Sequence, residues 1–380
     1  MKKCLFLPAL LLLLTLPAYA AFSDSAAAAV LVHADGGEVL YAHDEQTPLP
    51  MASTTKLMTA LVVLERCRLS AEVCVDERAV GAEGSSMYLR SGELLSVEEL
   101  LCGLLLASGN DAALALAYHV SDSVEDFCTL MNEKAAELGM ENTHYVNPNG
   151  LHEPDHYTTA LDLSRLMAAC LQNPDFCRIT ACTQLTAAGR TLQNHNRLLS
   201  RCEGVFSGKT GYTKAAGRCL VTACERGGLR LICVTLNDRS DWADHAALYE
   251  AAYGDYELFS VDACSVQASL PLLGGEESTL PLAPRAGLRL CIRRGSPIEK
   301  RLYLPPFVFA PVSPDRALGR LEVRIEDRSE TLPLYAAEQK EQHDALTEIP
   351  LCGGTLLPPG GRKMDRGRPR HGRRRHGVTG

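Results

Sequence analysis

The sequence predicts an α/β sandwich, with helices flanking an antiparallel sheet, followed by a small all-β domain. Apolar helical runs alternate with strand-like runs up to about residue 255. Residues 204–209, 218–225 and 229–237 then read as successive strands, the last two joined at Arg226-Gly227-Gly228. Beyond about residue 260 the pattern changes, and short stretches such as Leu288-Arg-Leu-Cys-Ile and Gly319-Arg-Leu-Glu-Val-Arg-Ile alternate apolar and polar residues between Pro/Gly turns.

Residues 1–20 carry two lysines, a leucine-rich run and Ala18-Tyr19-Ala20 before Ala21. This is the layout of a secretory signal peptide, too short to span a bilayer comfortably as a permanent helix. A retained N-terminal anchor is the alternative. Without that segment roughly 360 residues remain, which favours two domains. An apolar fraction of 46% is ample for a core, and a net charge of −8 argues against a whole-protein nucleic-acid binder. The last twenty residues hold Arg362, Lys363, Arg366, Arg368, Arg370 and Arg373 to Arg375, so the body is more acidic than the sum. Of fifteen cysteines, Cys4 lies in the leader. Export permits disulfides among the others, but spacing fixes no pairing, and buried free thiols are an equal alternative. No C-x-x-C pair or His-rich cluster suggests zinc, and no cofactor is expected.

Taken in order, residues 26–41 read as two strands joined at Asp35-Gly36-Gly37. Pro48 and Pro50 break the chain before Met51-Ala52-Ser53-Thr54-Thr55-Lys56, which runs into an apolar helical pattern. Ser53 and Lys56, three apart, share one helical face. A serine hydroxyl needs a base within about 2.6–3.2 Å. A lysine serves only if burial or a nearby cation keeps it partly neutral. Alone, S-x-x-K more often marks a solvated helix face. Ser96-Val-Glu-Glu reads as a capping box opening a helix over 97–107, and a second apolar run covers 112–120. Ser108 and Asn110, between the two runs, read as helix caps, as rigidly mounted polar groups, or as both. Residues 127–138 form another amphipathic helix, and a turn-rich loop from Asn147 leads to a helix restarting at Thr158. His152 and His156 have helical spacing but lie in a Pro-containing loop, so a structural role is expected of them rather than a metal. Lys209 should point from its edge strand into a cleft, and residues 242–253 read as the last helix of the domain.

Ser53-x-x-Lys56, Ser108-Gly109-Asn110 and Lys209-Thr210-Gly211 occur in the order of the S-x-x-K, S-x-N and K-T-G set of penicillin-binding proteins and related β-lactamases. The chain resembles the serine-type D-Ala-D-Ala carboxypeptidases, the low-molecular-mass penicillin-binding proteins, over about residues 22–260. Gly84-Ser-Ser-Met-Tyr-Leu, Asn147-Pro-Asn-Gly-Leu-His and Asn194-His-Asn-Arg-Leu-Leu belong to the same likeness. It implies a serine β-lactamase/transpeptidase-like catalytic domain over residues 21–258, with the N-terminal hairpin edging its sheet, a β-rich domain over 259–340 and a tail over 341–380. It implies Ser53 as nucleophile, Lys56 as its base and Ser108 as proton relay. Asn110, Lys209, Thr210, Gly211 and Tyr212 would bind substrate, with the backbone N–H groups of Ser53 and Tyr212 as oxyanion hole. The substrate would be a peptidoglycan stem peptide, and β-lactams would inhibit. Arg239 lies near an arginine that some relatives use, in different surroundings.

Three alternatives stay open. A DD-endopeptidase or transpeptidase would use the same residues on another acceptor. A class A β-lactamase needs a deacylating glutamate, and no convincing glutamate loop occurs between Asn149 and Cys182. A catalytically silent wall-binding protein has no chemical need for both Lys56 and Lys209. Pro358-Pro-Gly-Gly and the arginine run cannot form the amphipathic membrane helix of many relatives, and composition predicts disorder there. Contact of this tail with a membrane or anionic wall polymers, or a dispensable tail, are equal readings. The expected location is the extracytoplasmic cell envelope.

Overall fold

A computed structural model describes residues 24–337. The expected signal peptide and the whole of the basic tail lie outside these residues. The chain begins with β1 (Ala28–His33) and β2 (Val39–His43), an antiparallel hairpin. A 3₁₀ turn over Ala52–Thr55 leads directly into α1 (Lys56–Arg66). The short strands β3 (Glu72–Cys74) and β4 (Leu94–Ser96) pair ahead of α2 (Val97–Leu105), α3 (Asn110–Val120) and α4 (Val124–Glu137). The capping box expected at Ser96 is present, with Ser96 and Glu99 satisfying each other's backbone N–H. Helices α5 (Ala160–Cys170) and α6 (Pro174–Thr180) follow, then the hairpin β5 (Gln184–Ala187) and β6 (Arg190–Gln193). The long strands β7 (Val205–Thr213), β8 (Gly217–Arg226) and β9 (Leu229–Leu236) precede α7 (Asp241–Asp255).

The central sheet is five-stranded and antiparallel, in the order β2-β1-β9-β8-β7. The hairpin therefore forms one edge and β7 the other. Both faces are covered. Val30, Val221, Ile232 and Val234 face the large core shared with α1 to α6, while Leu31, Leu220, Leu231 and Cys233 face Leu248 and Tyr249 of α7. Alternate side chains thus enter opposite cores, which is why these strands read as nearly continuous apolar runs. On the inner face of α7, fully buried His245 sits 2.7 Å from Thr222 Oγ1 and 3.1 Å from Thr235 Oγ1, and burial pushes its pKa down to about 3.

Helix gives way to strand at β10 (Tyr256–Val261). The β-rich region comprises β11 (Ala268–Leu273), β12 (Thr279–Pro284), β13 (Leu288–Arg293), β14 (Ile298–Tyr303), β15 (Val308–Phe309), β16 (Ala317–Ile325) and β17 (Arg328–Ala336). Six of these strands form a sheet ordered β14-β16-β17-β12-β11-β15, and β10 pairs with β13 as a separate ribbon. Two small cores of its own hold the region together. Arg289 donates to Gly228 O at 2.8 Å, and Arg328 lies 3.4 Å from Glu38, tying the region to the outer side of the first. All thirteen cysteines among the described residues are free thiols.

Candidate active site

The nucleophile turn is built by its own sequence. Pro48 and Pro50 keep the preceding chain extended. Ala52 then takes φ +48°, a left-handed conformation, and turns the chain into the 3₁₀ segment. Thr54 Oγ1 donates to Met51 O at 2.7 Å and Thr55 Oγ1 to Ala52 O at 2.8 Å, so two hydroxyls fasten the turn internally. His156 locks it from outside. Its Nδ1 accepts from Val146 N–H at 3.1 Å, leaving the Nε2 proton to face Thr55 Oγ1 at 2.7 Å. Burial pushes the His156 pKa down to about 4, which keeps that neutral tautomer. This is the structural loop role expected of it.

Lys56, at the first position of α1, is fully buried. Its Nζ lies 2.9 Å from Ser53 Oγ, and it donates to Asn110 Oδ1 at 2.6 Å and to Asn149 O at 2.5 Å. Burial, and then the like charge of Lys209, push its pKa well below the ordinary lysine value, against the opposing pull of Asp111. Asn149 O is delivered by a loop that Thr59 Oγ1 anchors through Pro148 O at 2.6 Å. Gly150 lets that loop close. With φ +86°, a Cβ here would fall 2.0 Å from Ala52 O.

Ser108 ends the turn between α2 and α3 with φ +58°, so it too is held in a left-handed conformation. Lys209 reaches it from β7, with Nζ 3.0 Å from Ser108 Oγ and 2.9 Å from Thr210 O. Lys209 is 1% exposed, and burial pushes its pKa down to about 7. Asn110 has both ends of its carboxamide engaged, Oδ1 with Lys56 and Nδ2 with Glu83 O. Behind it, buried Asp111 accepts from the backbone N–H groups of Met87 at 2.9 Å and Leu89 at 3.0 Å, and from Ser86 Oγ at 2.6 Å. The strand β7 passes so near the turn that a Cβ on Gly211 would lie 3.0 Å from Ser53 N.

These groups surround an open cleft of about 520 Å³, with Ser53, Ser85 and Ser108 on one wall and Thr210, Gly211 and Tyr212 at the edge of the sheet. Lys56 and Lys209 stand behind the hydroxyls they touch, and Asn110 stands behind Lys56. The structure therefore gathers all eight residues singled out from the sequence. Arg239 is exposed and does not line the cleft, whereas Arg197 and Arg218 do. Arg218 pairs with Asp241 at 3.1 Å. Sequence reasoning assigned neither arginine a place at the site, and it missed Asn149, which acts through its backbone carbonyl and so leaves no side-chain signal.

A half-buried serine hydroxyl against a buried lysine of lowered pKa, faced by a second lysine–serine pair, is the equipment of a serine acyl-transfer enzyme. The family model described as D-alanyl-D-alanine carboxypeptidase matches residues 17–240. The chain is 30% identical over 319 residues to the D-alanyl-D-alanine carboxypeptidase DacF of Bacillus subtilis, covering 80% of this chain and 82% of that protein. It is 38% identical over 209 residues to DacB2 of Mycobacterium tuberculosis, covering 53% and 72% respectively. Penicillin binding protein 5 of Haemophilus influenzae superposes with a TM-score of 0.72 at 25% identity, covering 84% of this chain and 98% of that one. The chain belongs to the D-alanyl-D-alanine carboxypeptidase family of serine peptidases.

Proposed function

We propose that this protein removes the terminal D-alanine from peptidoglycan stem pentapeptides through an acyl-enzyme on Ser53, and that it acts outside the cytoplasm on the cell wall. The observation that carries the reading is the 2.9 Å approach of a buried Lys56 Nζ to Ser53 Oγ, with Lys209 Nζ 3.0 Å from Ser108 Oγ across the same cleft.

Neutral Lys56 takes the proton as Ser53 Oγ attacks the carbonyl carbon of the penultimate D-alanine. The oxyanion forms between the backbone N–H groups of Ser53 and Tyr212, each worth on the order of 3 kcal/mol. The close passage of Gly211 by Ser53 N supports that pairing. Collapse breaks the peptide bond, and the proton reaches the leaving amine through Ser108. Lys209 as a cation and the Thr210 hydroxyl hold the terminal carboxylate. Water then attacks the ester, freeing the acid and returning the proton to Ser53. Asn110 positions Lys56, and holding a substrate amide as well would require it to release Glu83 O. The outer edge of β7 is unpaired within the sheet, which suits an extended peptide. Among the described residues lining the cleft, the one carboxylate is Asp241, engaged by Arg218, and this disfavours a glutamate-driven β-lactamase. Contact of the basic tail with anionic wall polymer or lipid rests on composition, and salt-dependent co-sedimentation of the full chain tests it.

The experiment incubates the protein with a fluorescent penicillin and with diacetyl-Lys-D-Ala-D-Ala, alongside Ser53→Ala. Stable labelling and D-alanine release, both abolished by the substitution, are expected. Rapid penicillin turnover would point to a β-lactamase, and neither labelling nor release to a binding protein.

A further inference from the structure

Among the non-glycine residues in left-handed backbone conformations are Ala52 at φ +48°, Ser108 at +58° and Tyr88 at +61°. The first two shape the nucleophile turn and the second hydroxyl. Tyr88 has no place in that chemistry, yet a bulky aromatic is among the residues least at ease in such a conformation. It is held there from several sides. Asp111 grips the backbone N–H groups of Met87 and Leu89 on either side of it, and Tyr88 N–H donates to Ser86 Oγ at 2.8 Å. Arg190, paired with Glu93, donates to Met87 O at 2.8 Å and to Tyr88 O at 3.2 Å. The result is a tyrosine that is 82% exposed instead of buried. A glycine would make the same turn without strain.

The turn adjoins the cleft through Ser85. Ser85 lines the cleft beside Ser53, and Tyr88 follows it by three residues, a reach of at most about 10 Å. In a stem pentapeptide, three residues likewise separate the penultimate D-alanine from the sugar, and they span a similar length when extended. We propose that Tyr88 is a saccharide contact, its ring stacking on the C–H face of the sugar that carries the stem peptide. This rests on the carboxypeptidase reading and deepens it: the enzyme would prefer glycan-linked stem peptides to free ones.

The test compares D-alanine release from a disaccharide-pentapeptide and from the same pentapeptide without sugar, for the wild type, Tyr88→Ala, Tyr88→Phe and Tyr88→Gly. Wild-type kcat/KM should favour the disaccharide form by about five- to ten-fold, and Tyr88→Ala should erase that preference through KM while leaving the free peptide within about two-fold. Tyr88→Phe should keep it. Tyr88→Gly, relieved of strain, should melt at or above the wild-type temperature and still lack the preference, which separates binding from folding. Equal rates on both substrates in the wild type, or equal losses on both in Tyr88→Ala, would overturn the proposal. Release from neither substrate by the wild type would sink the carboxypeptidase reading first.

Discussion

Gly150→Ala is a substitution remote from any reacting atom that should nonetheless silence the enzyme. The added methyl would sit 2.0 Å from Ala52 O, where real Cβ contacts essentially never fall below 3.0 Å, so loop and nucleophile turn must part by about 1 Å. The preceding residue supplies Asn149 O to Lys56 Nζ at 2.5 Å, and the same separation would stretch that bond beyond useful length. Two costs follow. The left-handed backbone at φ +86° costs about 1–2 kcal/mol once a Cβ is present, and leaving the buried Lys56 amine and the Asn149 carbonyl poorly paired about 1–3 more. Misplacing the base by about 1 Å costs on the order of 100-fold in acylation. Gly139 is the control, because at φ +68° it has nothing within 4 Å of its Cβ position. Gly139→Ala should lose only about 1 kcal/mol and acylate normally. Second-order rate constants for fluorescent penicillin, beside urea unfolding of both variants, decide the matter. If Gly150→Ala acylates within about three-fold of wild type, the Asn149 carbonyl does not position Lys56 and the reasoning is wrong.

Other expectations concern titration and thiols. With Lys209 at about 7 in the free enzyme, its charge is lost as pH rises through that value, so KM for a substrate with a free C-terminal carboxylate should climb between about pH 6 and 9. The C-terminal amide should show no such climb, and a flat KM for both would contradict the role given to Lys209. Burying His156 lowers its pKa from 6.5 to about 4, so the unfolded chain binds the proton first. His156 should contribute up to about 3 kcal/mol to the fall in stability as pH drops from 6.5 towards 4, beside the contribution of His245, and His156→Gln should reduce that slope in urea titrations even if it is less stable at neutral pH. Replacing buried Lys209 with Met should raise the melting temperature at pH 7 while abolishing D-alanine release, since an ammonium no longer has to be desolvated; a lower melting temperature would mean its bonds to Ser108 and Thr210 outweigh that cost. Cys74 and Cys264 are the exposed thiols among the described residues, whereas burial pushes those of Cys102 and Cys219 up to about 12. Cys74→Ser and Cys264→Ser should each remove one equivalent from the fast phase of native thiol titration.

Much of this is legible in the sequence itself. Apolar periodicity marked α1 to α5 and α7, the Ser96-x-x-Glu99 signature marked the start of α2, and residues 204–237 read as successive strands because both of their faces are apolar. The order of S-x-x-K, S-x-N and K-T-G picked out seven of the eight residues found at the cleft, with Tyr212 directly after them, since chemistry that needs particular side chains leaves them in the text. The short pairs β3–β4 and β5–β6 were not legible, because strands of three or four residues with polar outer faces carry too little period to stand out. Free thiols, too, appeared only with the fold.

What the sequence by itself determined is therefore the inventory of the site and the layers that would carry it. Only the tertiary structure decided that Ser53 lies in a 3₁₀ turn ahead of the helix, that Asn149 contributes a backbone carbonyl, that Asn110 faces Lys56, and that Arg218 rather than Arg239 borders the cleft. Each depends on groups far apart in the chain or on backbone atoms common to every residue. Local pattern encodes which face of an element is apolar; it holds no record of what another element, ninety residues away, will set against that face.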